Sequence, residues 1–381
     1  MKQRVVLAIV LASAASVLLA AALPETILAG DAEAYRDRMA KMFSGRVPYI
    51  DFNFEHLPGA IAPMSIAWLL GGSQSLQAFA LALAGFSALL ISITGVLLVD
   101  LEDKFGTGLA IRWVGALVPL LPFLLFRNDS LSVLFAVGAF WTATRPRSGR
   151  AHGILPAWLG IGTKLWAGSW AAIEWWRGRR GWAVATAILT LGTLVLLRTP
   201  PVLAIQRPIG VHTETLAGSL LGAVRHLRAL PLRLHQTSAL YIEAEWWAHL
   251  INLVPAIALA VAALSIIRRG FSWPDAWVLF GVLTGCLMLA SPLFSTQYMA
   301  WVSPFASTRR QPWLILVMTN TLSLALIVTW NRGLEGSGWW FWLGVGRNLI
   351  FLTLLVALVG GLLRSPSLSP LGRHPMSERS P

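Results

Sequence analysis

A single cysteine, Cys286, occurs in 381 residues, and only 12% of the residues are charged. A lone cysteine excludes a disulfide framework and a cysteine metal site. The chain has no glycine-rich loop of the kind that cradles the phosphates of soluble nucleotides. The histidines show no metal-ligand spacing, and no Asp-x-Asp pair follows the first apolar run. We therefore expect no cofactor; a divalent metal is not indicated, although its presence stays open.

Apolar sequence dominates the chain, which is 56% hydrophobic and has a mean hydropathy of +0.66. Many apolar segments are long enough to cross a hydrocarbon core of ~30 Å. They run over 5–23, 75–99, 109–126, 130–144, 152–176, 182–198, 249–267, 274–291, 296–308, 312–330 and 341–363. This pattern predicts an all-α polytopic membrane protein.

The formal net charge of +13 comes from Lys and Arg residues that lie mostly in short loops between apolar segments. That distribution is the orientation signal of membrane proteins, and no nucleic-acid motif accompanies it. The basic loops lie on one side only if segment 152–176, which Lys164 interrupts, is a broken hairpin that crosses twice or dips in and returns. We therefore predict about twelve passes, both termini in the cytoplasm and no nucleic-acid partner.

Both ends of the chain also carry expectations. Segment 5–23 follows Lys2 and Arg4 and is similar to a secretory signal peptide. An uncleaved first span is favoured, because many further spans follow and need an anchor of this orientation. The last segment, 364–381, is rich in Ser, Pro and Arg, and is predicted to be a disordered cytoplasmic tail. We expect residues 1–363 to form a single transmembrane domain.

This orientation leaves two large loops outside, at 24–74 and 199–248, which we expect to form the site. The first loop is crowded with acids, bases and aromatics, and such a segment cannot lie in lipid. An amphipathic helix is predicted from Asp31 to Ser44, closed by Gly45. For Asp31, capping of this helix is the alternative to a chemical role.

Polar motifs recur at the turns that face outside. In chain order they are Gly30–Asp31 with Tyr35, Gly45 to Tyr49 and Asp51 with Glu55 and His56, Arg127–Asn128–Asp129, Thr163–Lys164–Leu165–Trp166, Arg207 through His212 to Glu214–Thr215–Leu216, and Ser291–Pro292 with Ser295 to Trp301 and Pro304. In order and placement these motifs resemble those of the C-type glycosyltransferases, which are polytopic enzymes that use polyprenyl-phosphate sugars. The resemblance covers about residues 1–330 and is closest to the bacterial α-mannosyltransferase-like branch, which includes phosphatidylinositol-mannoside mannosyltransferases.

The sequence departs from the family pattern at two points. These departures affect the expected identity of the acceptor more than the expected type of reaction. The family often has Tyr-Pro-Pro after the first-loop Asp, where this chain has His56–Leu57–Pro58–Gly59. In the last motif, Thr296 rather than Pro precedes Gln297.

The resemblance implies a role for each motif. By its position in the family pattern Asp31 is the general base, since an attacking hydroxyl must lose a proton to a group within hydrogen-bond reach. Asp51, Glu55 and His56 are the alternatives for this role. Cations must face the charge that grows on the leaving phosphate. The best donor-phosphate candidates are Arg207 and His212, followed by Arg127 and Arg332, and Lys164 is a separate candidate. The candidates for holding sugar or acceptor are Tyr35, Tyr49, Asp51, Glu55, His56, Asp129, Glu214, Gln297 and Tyr298.

Several of these residues have a plainer interpretation. Arg207 is suited to an ordinary lipid-headgroup contact at the membrane surface. Lys164 is able to snorkel from an apolar segment toward water. Gln297 and Tyr298 are suited to capping a helix and anchoring it at the interface.

The resemblance implies an inverting glycosyltransferase in a bacterial plasma membrane, with its site on the external face. Its partners are a polyprenyl-phosphate sugar donor, with a hexose such as mannose, a glycolipid or cell-envelope glycan acceptor, and membrane lipids. The alternative is a lipid-linked-sugar flippase or a transporter. Transporters often show two similar halves and paired charges in the mid-membrane, and the sequence shows neither. A flippase shares the need for a lipid-phosphate groove.

Overall fold

The computed structural model describes residues 31–52, 54, 56–145, 154–176, 178–196, 210–236, 240–244, 246–267, 272–291 and 294–364. About 80% of these residues are helical. The expectations for segment 5–23, for Glu55 and Arg207, and for the tail after Arg364 lie outside the described residues.

The helices follow one another along the whole described chain. They are α1 (Asp31–Phe43), α2 (Ile61–Ala67), α3 (Leu76–Phe105), α4 (Leu109–Leu117), α5 (Leu121–Leu124), α6 (Asp129–Ala143), α7 (Ile154–Thr163), α8 (Ser169–Trp176), α9 (Arg180–Leu196), α10 (Leu216–Leu227), α11 (Ala248–Ile267), α12 (Trp273–Ala290), α13 (Met299–Ala306), α14 (Arg310–Val328), α15 (Trp330–Leu334) and α16 (Gly338–Leu363). Short helical turns lie at Pro58–Ala60, Trp68–Gly72, Val118–Leu120, Leu165–Gly168 and Thr296–Tyr298.

Five of the described helices are long and apolar enough to cross a membrane, namely α3, α11, α12, α14 and α16. Shorter apolar helices cover Leu109–Leu124, Asp129–Ala143 and Ile154–Thr163. The prediction of a helical membrane protein is confirmed at this level, and the count of about twelve passes stays a prediction.

Side-chain contacts define the directions of the central helices. The Ser87 hydroxyl of α3 donates to the Arg127 carbonyl just before α6, and Lys104 near the end of α3 donates to the Thr144 carbonyl just after it. Helices α3 and α6 are therefore parallel. We call their shared ends the Asp129 end and the Phe105 end.

Helices α12 and α16 complete this core in opposite directions. Trp277, early in α12, stacks on Phe105 with ring centroids 4.5 Å apart, so α12 begins at the Phe105 end. Phe294, which follows α12, stacks on Phe351 of α16 at 5.6 Å. A Cβ on Gly285 of α12 would lie 2.3 Å from Leu355 of α16, so these helices pack closely and antiparallel. Helix α16 therefore runs parallel to α3.

Two basic residues, Arg112 in α4 and Arg145 after α6, lie at the Phe105 end. Arg145 forms an ion pair with Asp100 of α3. Arg112 donates to the carbonyls of Ser307 and Thr308, with distances of 2.6 and 2.9 Å. This gathering is the pattern that the positive-inside rule leads us to expect of one membrane face.

The segment around Lys164 folds as a hairpin. Helix α7 runs antiparallel to α6, since Cβ atoms on Gly138 and Gly160 would contact Pro156 and Phe135 across the pair. After Lys164 the chain turns back, and Trp170 meets Phe140 near the end of α6 with ring centroids 4.8 Å apart. The ten residues of α7 rise only about 15 Å, half of a membrane core. The described limbs of the hairpin are therefore short, and Lys164 at its tip lies beside Asp129.

The loop after α9 contains a small antiparallel sheet that the sequence did not predict. Its strands are β1 (Val211–His212), β2 (Leu234–Gln236) and β3 (Leu240–Ile242), in the order β1-β3-β2. His212 and His235 both pair with Tyr241. Helix α10 packs the loop onto α16 so closely that a Cβ on Gly222 would lie 2.3 Å from Phe341. The sheet is thereby fixed to the bundle.

The first loop contains the predicted amphipathic helix, α1. Met39 is fully buried on its inner face, and Gly45 has a φ of +93°, the left-handed conformation that ends helices. Further along the loop, a Cβ on Gly59 would lie 2.7 Å from Thr163 and 2.8 Å from the Gly162 carbonyl. The loop is therefore pressed against the tip of the hairpin, at the Asp129 end.

Candidate functional site

Asp129 and Lys164 form the base of a polar cluster at the Asp129 end of the bundle. Asp129 begins α6, and its buried carboxylate accepts a 2.8 Å hydrogen bond from Trp301 Nε1. Lys164 Nζ lies 3.7 Å from the same Oδ1. The helical break after Thr163 exposes the lysine at the hairpin tip, because Lys164 has extended backbone between two helical turns. Local chain geometry and a buried counter-charge thus fix both residues.

Asp31 and Arg127 form a second ion pair in the same cluster. Asp31 is the first residue of α1, and Arg127 lies in the turn before α6. Burial opposes the charged guanidinium, but the carboxylates of Asp31 and Asp129 raise the pKa of Arg127 overall. The Asp31 side chain is 41% exposed and that of Asp129 is 3% exposed. The cluster therefore has an accessible carboxylate above a buried one, with a cation beside each.

Aromatic rings form one wall of the cluster. The Trp301 ring is stacked between Tyr298, at 4.0 Å, and Trp166, at 5.5 Å. Lys164 Nζ lies 5.6 Å from the ring centroids of both Tyr298 and Trp301. Stacked rings beside charged groups provide an apolar face and a polar edge, the combination that binding a sugar requires.

Tyr35 and His56 bring the first loop against this cluster. Tyr35 is buried and His56 is half-buried, and their rings meet edge to face at 5.0 Å. Burial raises the pKa of Tyr35, and the negative charge of Asp31 adds to the effect. Burial lowers the pKa of His56, helped by the positive charges of Lys164, Arg38 and Arg127. His56 is therefore neutral at pH 7 and suited to hydrogen bonding.

Glu214 connects the sheet-bearing loop to the aromatic wall. Its Oε2 accepts hydrogen bonds from the Thr296 backbone N–H at 3.0 Å and the Thr296 hydroxyl at 2.8 Å. Thr296 opens the turn that continues into Gln297 and Tyr298, and Gln297 Oε1 accepts from the Ser295 hydroxyl. Glu214 therefore positions the residues that face Lys164.

His212 is buried in strand β1 and does not act as a fixed cation. Its Nδ1 accepts the Glu214 backbone N–H at 3.3 Å, and its ring lies edge to face on Tyr241. Burial lowers the pKa of His212, although Glu214 partly opposes this. A neutral imidazole binds a phosphate through a hydrogen bond, not through charge.

Three other candidates from the sequence have structural partners of their own. Tyr49 donates to the His56 carbonyl, and Asp51 accepts from the Val47 N–H at 2.7 Å, so both shape the first loop. Arg332 is exposed and paired with Glu335. Of the remaining predicted residues, Arg207 and Glu55 lie outside the described residues.

Sequence reasoning missed Arg347 and Asn348 of α16. Both are buried, and both donate to the Glu214 backbone carbonyl, Asn348 at 3.0 Å. An arginine inside an otherwise apolar span is itself a signal of function, and it was available in segment 341–363. Trp301 lies in one of the sequence motifs, but the motif does not predict its hydrogen bond to Asp129.

The described part of the chain contains no group of three or more His, Cys, Asp or Glu side chains that could hold a metal ion. The carboxylates of Asp31 and Asp129 each face a cation instead.

Comparison with protein-family models, curated proteins and solved structures finds no match for this chain. The resemblance to C-type glycosyltransferases therefore depends on the sequence motifs themselves. These motifs place Asp31, the pair Arg127 and Asp129, Lys164, and Tyr298 in four separate segments.

Proposed function

We propose that this chain is an inverting glycosyltransferase of the C-type superfamily. It transfers a hexose, of which mannose is the first choice, from a polyprenyl phosphate to a glycolipid or cell-envelope glycan. The membrane is a bacterial plasma membrane, and the Asp129 end faces outside. About twelve passes follow when both limbs of the hairpin are counted, with both termini in the cytoplasm.

The meeting of two ion pairs carries this proposal. Asp31–Arg127 and Asp129–Lys164 come from the first loop, the turn before α6 and the hairpin tip. Placing charged groups inside an apolar bundle costs free energy, so such groups usually have a functional role. The sequence motifs of a lipid-phosphate-dependent transferase contain these same residues, and the fold brings them to one end.

Asp31 is suited to the proton transfer because its carboxylate is the more accessible of the two. In the proposed step, the acceptor hydroxyl attacks the anomeric carbon and gives its proton to Asp31. The new carbon–oxygen bond forms on the face opposite the phosphate, which inverts the configuration. The bond to the phosphate oxygen breaks at the same time, and the phosphate leaves with the electron pair.

Arg127 and Lys164 are suited to holding the leaving phosphate. Fixed cations in a water-poor site stabilise charge that grows in the transition state. Arg127 also contacts Asp31, so phosphate binding and the position of the base depend on the same side chain. Tyr298 is partly exposed and offers a ring face against which the sugar stacks beside Lys164, while Trp301 supports that ring from behind.

Sugar transfer by the purified protein tests this function. Wild-type protein in lipid vesicles is given radiolabelled mannosyl polyprenyl phosphate and membrane glycolipid acceptors, and the product's anomeric configuration is determined by NMR. We expect a labelled glycolipid of inverted configuration. Failure to form a product with any of several lipid-linked sugars, together with accelerated movement of those lipids across the vesicle membrane, would establish the flippase alternative instead.

A further inference from the structure

Arg347 is a fully buried cation whose guanidinium is only partly used. Its Nη2 donates to the Glu214 backbone carbonyl, and the guanidinium lies over the Phe294 ring at 4.6 Å. Nε and Nη1 are buried and have no acceptor among the described residues. An arginine has five N–H donors, so most of the donors of Arg347 are not used in hydrogen bonds to the described residues.

The charge of Arg347 also lacks a close counter-charge. No carboxylate of the described residues lies within ion-pair distance of its guanidinium, and the Glu214 carboxylate is engaged with Thr296. Buried charges in proteins are normally paired, because an unpaired one pays its full desolvation cost. The guanidinium of Arg347 therefore lacks a negatively charged partner, which a bound anion would supply.

Two polar groups close to Arg347 in the sequence or beside Glu214 also lack hydrogen-bond partners among the described residues. The Thr213 hydroxyl, on the residue before Glu214, is buried and has no partner among the described residues. Asn348 Oδ1 is likewise without a donor among the described residues. Buried polar groups in native proteins normally have a partner, so these groups are available to a bound ligand.

The depth of Arg347 in the bundle can be compared with that of Arg127. It is nine residues after the first residue of α16, Gly338, which corresponds to about 14 Å along the helix. The Arg127 carbonyl contacts Ser87, which lies about 16 Å along the parallel helix α3. Both arginines therefore lie at a similar depth below the same end of the bundle.

Arg347 is nevertheless distinct from the four-charge cluster. The segment from Phe294 to Tyr298 separates them: Phe294 lies against Arg347, and Tyr298 lies against Lys164. We propose that Arg347 and the Thr213 hydroxyl form a second anion site, which binds the phosphate ester of a membrane lipid. This binding is independent of whether the chain transfers sugar.

Native mass spectrometry of the purified full chain in neutral detergent tests the proposal. The probes are a long-chain polyprenyl monophosphate, phosphatidylglycerol and inorganic phosphate, each titrated separately. We expect Arg347→Gln to weaken lipid-phosphate binding about tenfold or more, because charge-assisted hydrogen bonds are lost. Arg233→Gln, which removes an exposed arginine paired with Glu243, should change it less than about twofold.

Thr213→Val keeps the test decisive if Arg347→Gln does not fold. Replacing an unsatisfied buried hydroxyl with a methyl group of similar shape does not destabilise a protein, so this variant should fold at least as well as wild type while binding the lipid phosphate more weakly. A tenfold effect on polyprenyl phosphate identifies the carrier as the ligand, and an effect on phosphatidylglycerol identifies a headgroup. Unchanged lipid binding in both variants, or binding of inorganic phosphate alone, overturns the proposal and leaves Arg347 as a support for Glu214.

Discussion

Replacing Lys164 and Asp129, singly and together, measures the free energy that joins the two charges at the base of the site. The charged atoms are 3.7 Å apart, and the side chains of Lys164 and Asp129 are 21% and 3% exposed. At an effective dielectric constant of about 20, unit charges at this distance attract by about 4.5 kcal/mol. Desolvation and side-chain ordering offset part of this attraction.

We expect Lys164→Met or Asp129→Asn alone to lower the free energy of unfolding by about 3–5 kcal/mol. Each variant leaves a buried group without its partner. The double variant should lose less than the sum of the two, by a coupling energy of about 2–4 kcal/mol. Denaturant titration in neutral detergent, followed by tryptophan fluorescence, provides the four free energies.

The pair Arg332–Glu335 is the matched control. Its N–O distance is shorter, 2.9 Å, but its side chains are 60% and 57% exposed. Exposed pairs contribute about 0–1 kcal/mol whatever their distance. A coupling energy for Lys164 and Asp129 no larger than that of the exposed pair would refute the reasoning that burial makes their attraction strong.

Three further predictions test the surroundings of the site. Because burial lowers the pKa of His56, below a pH of about 6.5 the unfolded state gains a proton that the folded state does not. We therefore expect the free energy of unfolding to be highest above that pH and to fall at lower pH. His56→Gln should flatten this dependence of Tm between pH 5 and 8. Trp301→Phe removes the hydrogen bond to Asp129 but keeps a stacked ring, and should cost about 1.5–3 kcal/mol in denaturant titration; a loss below about 0.5 kcal/mol would contradict the bond's importance. Gly59→Ala should cost about 1–3 kcal/mol by forcing a Cβ into the hairpin tip. Gly85→Ala, where a Cβ meets open space inside a helix, should be neutral or stabilising, and equal effects of the two would contradict the packing argument.

Local signals in the sequence predicted several elements well. Helix α1 was expected from Asp31 to Ser44 and extends to Phe43, because its apolar face and the glycine after it act within one turn of the chain. The break at Lys164 was predicted from the alternation of basic loops, which is a property of the whole topology. The structure adds that the hairpin limbs are short.

Other features depend on contacts that no local pattern encodes. The strands β1 to β3 contain only two or three residues, too few to show the alternation of a sheet. The bond from Thr296 to Glu214 spans 82 residues, and that from Arg347 to Glu214 spans 133. A single sequence shows that an arginine interrupts an apolar span, but not which peptide it meets.

The role of Asp31 as general base is the central claim, and single-turnover transfer by Asp31→Asn tests it most directly. The control is Asp37→Asn, which alters an exposed carboxylate on the same helix, paired with Lys41. With donor saturating and folding verified, we expect Asp31→Asn to slow the chemical step by about 10²–10⁴-fold, while Asp37→Asn stays near the wild-type rate. A rate for Asp31→Asn within about threefold of wild type would contradict the account, since losing a general base costs far more than that.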